Sequence, residues 1–388
     1  MASKRMNVIL VTDWGWIFGR GAVKWPMLSI IILGLLALLY FALVLRTAFL
    51  LTPRRYPHRK ERFFSVIIAA RNEGRRVLPL IASLKKLDYP AGQREIIFVD
   101  DASEDDTAAL ITKKITTLPG ARLISVSPAE RLLPGKKNAL HRAIMEARGE
   151  LIAVTDADCI VPPGWLRAFN DCFDERDIML LGHSRVSGHR GFLNLYLRFD
   201  NLFSGIMVAV PALLGLPLSS VGRNMAYRRS AYVQSGGYPQ LARHRSGDDV
   251  FLTELFRQKL TGHIRYCSCP GSLVSSEAPE TLREIFWQQI RKNSKLPYKS
   301  LPALFLTLFL FVLHLLMAVM LFFPGTVVFA ATILGLKLLL EFLALWRACD
   351  FFGEPGLKKA LPLFQGLYPL LTVIFGGLGM LGLYKWKP

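Results

Sequence analysis

The amino-acid sequence predicts an α/β fold, with a mostly parallel, doubly wound sheet inserted between hydrophobic helices, one before the sheet and three after it. Two observations support this prediction. Apolar runs alternate with amphipathic stretches between residues 63 and 290, which is the βαβα order of a parallel sheet. The remaining apolar residues are concentrated near 27–51 and after residue 300, in stretches long enough to span a bilayer.

The strands of the sheet are predicted from short, continuous apolar runs, and its helices from apolar residues at helical spacing. The first run, FSVIIAA at 64–70, is typical of a strand that is buried on both faces. The elements that follow in chain order are a helix at 73–86, a strand at 95–99, a helix at 107–117, a strand at 122–126, a helix at 138–147 and a strand at 151–155. Ligands of such sheets bind beyond the carboxyl ends of the strands, so we expect the functional site there.

The hydrophobic segments divide the chain into parts. We predict an interfacial segment at 1–26, a spanning helix at 27–51, a basic linker at 52–62, the sheet domain at 63–292, and spanning helices at 300–323, 326–346 and 360–384. The hinge at 323–325 is uncharged, whereas Arg347, Lys358 and Lys359 lie in the next loop. The positive-inside rule therefore predicts a cytoplasmic domain, and we expect an integral protein of a bacterial inner or plasma membrane.

The chain is strongly basic, with 48 Lys and Arg against 29 Asp and Glu and a net charge of +19. Many of these cations flank the apolar segments, as in the linker at 52–62, and there they would attract anionic lipid headgroups. No basic stripe interleaved with aromatic residues is present, so we do not expect a nucleic-acid partner. Of the five cysteines only Cys267 and Cys269 are close in sequence, which is too few for a zinc site and indicates reduced thiols.

Two carboxylates, Asp156 and Asp158, directly follow the strand predicted at 151–155. Side chains one residue apart on such a loop can both approach a Mg²⁺ or Mn²⁺ ion, whose other ligands are commonly substrate phosphates. Such an ion neutralises the charge that develops on a nucleotide diphosphate leaving group. The alternative is a solvated turn, because Asp is common in turns.

A second acidic pair, Asp100 and Asp101, follows the strand predicted at 95–99. A carboxylate at this position can accept hydrogen bonds from a nucleobase or a ribose hydroxyl, and the alternative is a helix cap formed by Ser103 or Asp105. Lys136 precedes the helix predicted at 138–147, where it could pair with phosphate or lie on the surface as an ordinary lysine.

Two further motifs lie later in the domain. Asp249, in Gly247-Asp248-Asp249, opens a helix-like run and could accept the proton of an acceptor hydroxyl as general base, or cap the helix. Gln288 and Arg291 are one helical turn apart and share a face that could bind a diphosphate or the acceptor. The alternative is an amphipathic helix on the membrane surface.

Within the predicted spans, Lys337 and Glu341 are four residues apart on one apolar helix. Intramembrane ions usually face a partner or a wet cavity, so the two either pair with each other or line a path for the acceptor. His314 is a similar, weaker case.

Together these motifs resemble the membrane-bound, inverting family 2 glycosyltransferases of GT-A fold, whose members include hyaluronan, cellulose and poly-N-acetylglucosamine synthases and ceramide glucosyltransferases. The run at 66–73 resembles the opening strand and nucleotide-contact loop of the family. The other matching segments are 99–103 to "VDDGS", 135–140 to "GKAGAL", 156–158 to "DxD", 247–249 to "(G/T)ED", 277–279 to "EAP" and 288–291 to the start of "QxxRW". The resemblance covers about 63–292.

The resemblance implies a role for each matching residue. The catalytic residues would be Asp249 as base, with Asp248 beside it, and the metal ligands would be Asp156 and Asp158. The donor nucleotide sugar, for which a UDP-sugar is expected, would be held by Ala70, Arg71, Glu73, Asp100, Asp101, Lys136, Asp156, Gln288 and Arg291.

Two positions depart from the family pattern. Asp248 replaces a glutamate, which is a mild change, whereas Lys292 replaces the tryptophan of "QxxRW". In polymerising relatives that aromatic residue helps to form the acceptor site. We therefore expect an inverting transferase that moves one sugar to the hydroxyl of a membrane lipid or a lipid-linked glycan and forms a β-glycosidic bond. The alternatives are a processive polysaccharide synthase and, less in keeping with the intact carboxylates, a non-catalytic nucleotide-sugar-binding protein.

Overall fold

The computed structural model describes residues 24–188, 191–244, 247–279, 281–293 and 301–380. Most of the predicted interfacial segment at 1–26 lies outside these residues, as do the ends of the predicted spans at 300 and 381–384. The described chain forms two compact units, one made of its residues up to Val44 together with Phe305–Leu340, and one made of Leu45–Leu304 together with the residues from Glu341 onward.

The second unit contains a seven-stranded sheet in the order β3-β2-β1-β4-β8-β6-β9 and a three-stranded sheet in the order β5-β10-β7. The strands, in chain order, are β1 Phe64–Ala70, β2 Arg94–Asp101, β3 Ala121–Val126, β4 Leu151–Asp156, β5 Cys159–Ile160, β6 Asp177–Leu181, β7 Ser184–Ser187, β8 Met225–Arg228, β9 His263–Tyr266 and β10 Val274–Glu277. The first four are mutually parallel, and β8 is antiparallel to both β4 and β6. The predicted α/β, mostly parallel fold is confirmed.

The helices, in chain order, are α1 Lys24–Leu50, α2 Val77–Leu84, α3 Thr107–Ile115, α4 Lys137–Glu146, α5 Trp165–Cys172, α6 Phe192–Leu213, α7 Arg229–Ser235, α8 Asp248–Lys259, α9 Leu282–Asn293, α10 Leu301–Met320, α11 Val327–Phe351 and α12 Leu361–Met380. One apolar helix therefore precedes the sheet domain and three follow it, as predicted. Among the described residues, three stretches are long and apolar enough to span a membrane, namely Pro26–Leu50, Val327–Phe351 and Pro355–Gly379, and the apolar part of α10, Leu304–Met320, is shorter.

Alternate residues of β1 pack on opposite faces of the main sheet, because side chains along a strand point alternately to its two sides. Ile67 packs into the core that contains α4, α6 and α8, whereas Val66 and Ile68 pack into the core that contains α2 and α5. Both faces are covered, which explains why the first strand is a continuous apolar run.

The basic linker between α1 and β1 is fixed to the sheet domain by backbone and side-chain bonds. The amide of Arg54 donates to the carbonyl of Ser268 at 3.1 Å, and the amide of Arg59 donates to Asp171 Oδ1 at 3.1 Å. His58 Nδ1 is 2.8 Å from Asp171 Oδ2. The linker thus forms part of the sheet-containing unit.

The first unit has a small core of its own, in which Leu33, Leu313, Met317 and Ala330 are buried together. Lys337 is also buried, and its ammonium lies 5.9 Å from the centre of the Tyr40 ring. Its predicted pairing with Glu341 remains a prediction.

Candidate active site

The carboxyl ends of β1, β2 and β4 bring three of the predicted site residues to one edge of the sheet. Ala70 at the end of β1 is in register with Asp100 of β2, and the preceding residue, Ala69, is in register with Asp156 of β4. Residues 30 and 87 positions apart in sequence therefore meet at the same level. The topology produces this proximity, because all three strands run in the same direction.

The loops that follow β1 and β2 are joined by hydrogen bonds. The amide of Asn72 donates to Ser103 Oγ at 3.0 Å, and the amide of Glu104 donates to Asn72 Oδ1 at 2.8 Å. Asn72 and Ala102 adopt positive φ angles of 53° and 51°, which are uncommon for residues other than glycine. Backbone strain of this kind is concentrated at ligand sites, and here it occurs on both loops.

The predicted donor residues on these loops have different surroundings. The amides of Glu73 and of the residue after it both donate to the hydroxyl of Thr107, at 2.9 and 2.8 Å. These two hydrogen bonds fix the backbone of the loop after β1. Arg71 is exposed and lies 3.6 Å from Glu104.

Asp100 has one carboxylate oxygen in use and one without a partner. Its Oδ2 accepts a hydrogen bond from the amide of Ser103 at 3.3 Å, whereas its Oδ1 is buried and has no hydrogen-bond partner within the described part of the chain. A buried acceptor without a donor is costly, so this oxygen points to a ligand group such as a nucleobase N–H.

Asp101 is contacted by Arg131, which the sequence analysis did not single out. Arg131 Nε donates to Asp101 Oδ1 at 2.9 Å, and a second guanidinium N–H donates to the Asp101 carbonyl. A nucleoside that uses Asp101 would therefore bind against this arginine or displace it.

Lys136 lies between the acidic motif at 156–158 and the acidic motif at 247–249. Its Nζ lies 2.6 Å from Asp156 Oδ1 and 3.4 Å from Asp248 Oδ2. Burial by itself would lower the pKa of Lys136, but the negative charges of Asp156, Asp248 and Asp249 raise it well above its usual value. The ammonium group is therefore charged at neutral pH and belongs to the site rather than to the open surface.

The two predicted metal ligands have opposite pKa shifts. Burial opposes ionisation of Asp156, yet the charge and hydrogen bond of Lys136, with Arg223 and Arg291, lower its pKa. Burial and the neighbouring charge of Asp156 raise the pKa of Asp158. Two crowded carboxylates of this kind would be relieved by a divalent cation.

The donor set available for such an ion is small. Among the described residues no group of three or more His, Cys, Asp or Glu side chains could hold an ion unaided. Asp156 and Asp158 therefore fit an ion that takes its remaining ligands from substrate phosphates and water, which is the common arrangement for Mg²⁺.

Asp248 and Asp249 both lie in the first turn of α8, and their side chains contact different partners. Asp248 faces Lys136, whereas Asp249 Oδ2 accepts from the amide of Gly222 at 2.9 Å and its Oδ1 accepts from the amide of Val250 at 2.8 Å. The alternative in which Asp249 caps the helix is wrong, because the cap position belongs to Gly247, with φ 82° and ψ 30°. The amide of Gly222 instead holds Asp249 on the side of the 215–224 loop.

Helix α9 brings the last motif to the same site. Arg291 is close enough to Asp156 for its charge to lower the pKa of that carboxyl. Gln288 lies one turn earlier on α9 and is half-buried. Lys292, at the position where the family has tryptophan, pairs with Asp200 of α6 at 2.8 Å.

Three residues of this region were missed by the sequence analysis, namely Arg131, Asp200 and Arg223. Arg223 Nη1 donates to Ser276 Oγ at 2.7 Å. Its charge helps to lower the pKa of Asp156 and offsets part of the rise in the pKa of Asp158. No local pattern marks these residues, since their partners lie at least 30 positions away along the chain.

Comparison with known proteins identifies sequences and a structure to which this chain is similar. Residues 65–234 match the family model described as Glycosyl transferase family 2. Over 157 residues the chain is 31% identical to a beta-monoglucosyldiacylglycerol synthase of Trichormus variabilis, which covers 40% of this chain and 32% of that protein. Over 127 residues it is 29% identical to the poly(ribitol-phosphate) beta-N-acetylglucosaminyltransferase TarS of Staphylococcus aureus, covering 32% of this chain and 22% of that one. The chain thus spans a third or less of the length of these relatives.

A solved structure shares the fold. It is the mannosyltransferase PcManGT from Pyrobaculum calidifontis in complex with GDP-Man and Mn²⁺, with a TM-score of 0.53 at 19% sequence identity. The match covers 87% of this chain and 97% of that one. The predicted GT-A fold and the predicted resemblance to family 2 are confirmed.

Proposed function

We propose that this chain, whose residues 65–234 match the model of glycosyl transferase family 2, moves a sugar from a nucleotide diphosphate sugar to a hydroxyl of a membrane lipid or a lipid-linked glycan. The observation that carries the proposal is the meeting of the acidic motifs around Lys136, which lies 2.6 Å from Asp156 and 3.4 Å from Asp248. A site that combines carboxylates with a cation held between them suits a substrate that contains both a sugar and a diphosphate.

The donor would bind along the carboxyl edge of the sheet. The unpartnered Oδ1 of Asp100 is suited to accept from the nucleobase or ribose. Ala70, Arg71, Glu73 and Asp101, on the same two strands and the loop after β1, would complete the nucleoside site. The cations Lys136 and Arg291 would contact the diphosphate. The donor is expected to be a UDP-sugar, by analogy with family members, and the sugar itself is left open.

Asp156 and Asp158 would hold Mg²⁺ or Mn²⁺, which when bound neutralises charge on the departing diphosphate. Arg291 and Lys136 would stabilise the same charge from the protein side, because fixed cations in a poorly solvated site act strongly on developing charge. Arg223 lies near both carboxylates and would add to this positive potential.

Asp249 would act as general base. Its two backbone hydrogen bonds fix the carboxylate, which would take the hydroxyl proton as the acceptor oxygen attacks C1 of the sugar. The new C1–O bond forms as the bond from C1 to the diphosphate oxygen breaks, so nucleoside diphosphate leaves and the anomeric configuration inverts. Asp248, paired with Lys136, would be the positioning partner of this base.

The acceptor is proposed to be a lipid or a lipid-linked glycan, and the reaction a single transfer. A relative with 31% identity over part of its length is named a beta-monoglucosyldiacylglycerol synthase, and diacylglycerol is a lipid. Lys292 binds Asp200 instead of offering an aromatic surface to a growing chain, which supports one addition per acceptor. The flanking apolar helices support membrane attachment, and the cationic loop around Lys358 supports a cytoplasmic domain.

The purified 388-residue chain in lipid nanodiscs should release nucleoside diphosphate from a UDP- or GDP-sugar in the presence of Mg²⁺ or Mn²⁺ and a lipid acceptor. Mass spectrometry of the lipid fraction should show one added sugar, whereas a ladder would favour a processive synthase. The Asp249→Asn variant should lose transfer and keep donor binding. The base belongs elsewhere if this variant transfers at the wild-type rate while Asp248→Asn does not.

A further inference from the structure

We propose that Asp200 is a positioning residue, which together with Lys292 holds helix α9 so that Arg291 stays at the donor diphosphate. This inference rests on the proposed function for the identity of the ligand. It assigns a role to the lysine that departs from the family motif, and to an aspartate that no sequence motif contains.

Two neighbouring rows of side chains along α9 have different contacts. Gln288 and Arg291 are three residues apart on one row, and Gln289 and Lys292 are three residues apart on the next, since successive residues are about 100° apart around a helix. The second row points toward α6, where Gln289 Nε2 and Lys292 Nζ donate to the same oxygen, Asp200 Oδ2, at 2.9 and 2.8 Å.

A third helix contacts the same carboxylate. The hydroxyl of Tyr368, on α12, donates to Asp200 Oδ1 at 2.8 Å. The Tyr368 ring packs edge-to-face on Phe199, with 5.1 Å between ring centres, and against Phe203 at 5.0 Å. Helices α6, α9 and α12 therefore converge on one buried side chain, which is 8% exposed.

The cluster requires a cation at position 292. Burial raises the pKa of Asp200, but the charge of Lys292 and the three hydrogen bonds bring it below its usual value, so the carboxylate is ionised. Lys292 also donates to Ser204 Oγ, one turn further along α6. An uncharged side chain at 292 would leave a buried anion without its counter-charge, which is a strongly unfavourable state.

The consequence reaches Arg291 because it is the residue directly before Lys292 on the same helical turn. Its charge is among those that lower the pKa of Asp156, so its distance from that carboxyl matters. Loss of the Asp200 contacts would free the end of α9 and move Arg291 relative to the diphosphate. A displacement of about 1 Å at such a group is enough to cost one to two orders of magnitude in rate.

The test compares Lys292→Met, Lys292→Arg and Tyr368→Phe with the wild type in nanodiscs. We expect Lys292→Met to weaken Mn²⁺-dependent binding of UDP or GDP, measured by calorimetry, by about tenfold. The charge-assisted contact between Lys292 and Asp200 is lost, so Arg291 is no longer held at the diphosphate. The donor KM should rise more than the acceptor KM. Lys292→Arg should restore both to within about threefold, since the cation is retained. Tyr368→Phe, which removes only a hydroxyl, should have a smaller effect of the same sign.

Asp171→Asn is the matched control for stability. Asp171 is another buried carboxylate that holds segments together, through His58 and the amide of Arg59, but it lies on α5 with the linker. It should lower the melting temperature without changing nucleotide affinity. The inference is overturned if Lys292→Met and Tyr368→Phe bind nucleotide with wild-type affinity. A wild-type protein that binds neither UDP nor GDP would instead refute the proposed function itself, and the positioning role with it.

Discussion

Replacement of Lys136 by methionine removes the cation that lies between Asp156 and Asp248. A hydrogen bond to a charged group is worth about 1.5–3 kcal/mol. The Lys136 side chain is 32% exposed, so solvent screens its proposed contact with the donor diphosphate and we take about 1–2 kcal/mol. At 1.36 kcal/mol per factor of ten, kcat/KM for the donor should fall about 5- to 30-fold.

The same substitution should change the pH dependence. Lys136 lowers the pKa of Asp156, so without Lys136 that carboxyl takes up a proton at a higher pH. Since the ionised form would bind the metal, activity of the variant should be lost at a higher pH on the acidic side than in the wild type. Release of nucleoside diphosphate, measured between pH 5 and 8 at saturating Mn²⁺, checks both expectations.

Lys259→Met is the control for this experiment. Lys136 faces Asp248 at the start of α8, whereas Lys259 is the last residue of that helix. The control removes an equal charge there, where Lys259 contacts the Ser235 carbonyl and Gln240, each at 3.3 Å. It should leave kcat/KM within about twofold of wild type, as surface substitutions usually do. The proposed role of Lys136 is refuted if Lys136→Met keeps the wild-type kcat/KM and loses activity at the same acidic pH as the wild type.

Three further outcomes follow from the structure. In Gly222→Ala the new methyl would lie 3.1 Å from Cβ of Asp249, so kcat should fall by about tenfold or more while nucleotide affinity is kept; equal kcat would contradict the base position. Asp177→Asn removes the fully buried partner of Arg265 and should destabilise the fold by about 2–3 kcal/mol in thermal unfolding, with normal activity below the transition. Burial and the neighbouring Asp156 raise the pKa of Asp158, so this proposed ligand takes up a proton as the pH falls. The half-saturating Mn²⁺ concentration should therefore increase as the pH is lowered from 7 to 5, and a constant value would argue against Asp158 as a ligand.

The parallel half of the sheet was readable from the sequence because its strands are continuous apolar runs. The strand predicted at 64–70 is the one observed, Phe64–Ala70, and the strand predicted at 151–155 differs from the observed one by one residue. The insertion of β8 between β4 and β6 was not predicted. Its four residues, Met225–Arg228, carry no strong period, and their pairing depends on segments about 50 to 75 residues away.

The candidate site divides in the same way. Residues at the carboxyl ends of strands, such as Asp100 and Asp156, could be located because strand direction determines where they lie. Arg131, Arg223 and Asp200 could not be located, since the side chain of each contacts a residue at least 30 positions away along the chain. The helix α6, which carries Asp200, was also not predicted.

The packing of α12 on α6 has a practical consequence. Phe364, in the first turn of α12, is fully buried and stacks on Phe199 and Phe192, with ring centres 5.0 and 5.8 Å apart. A fragment that ended at residue 293 would expose these aromatic rings to water and would tend to aggregate. Truncation before α12 would therefore remove part of the core of the sheet-containing unit. Chimaeras made with related proteins should exchange α6 and α12 together.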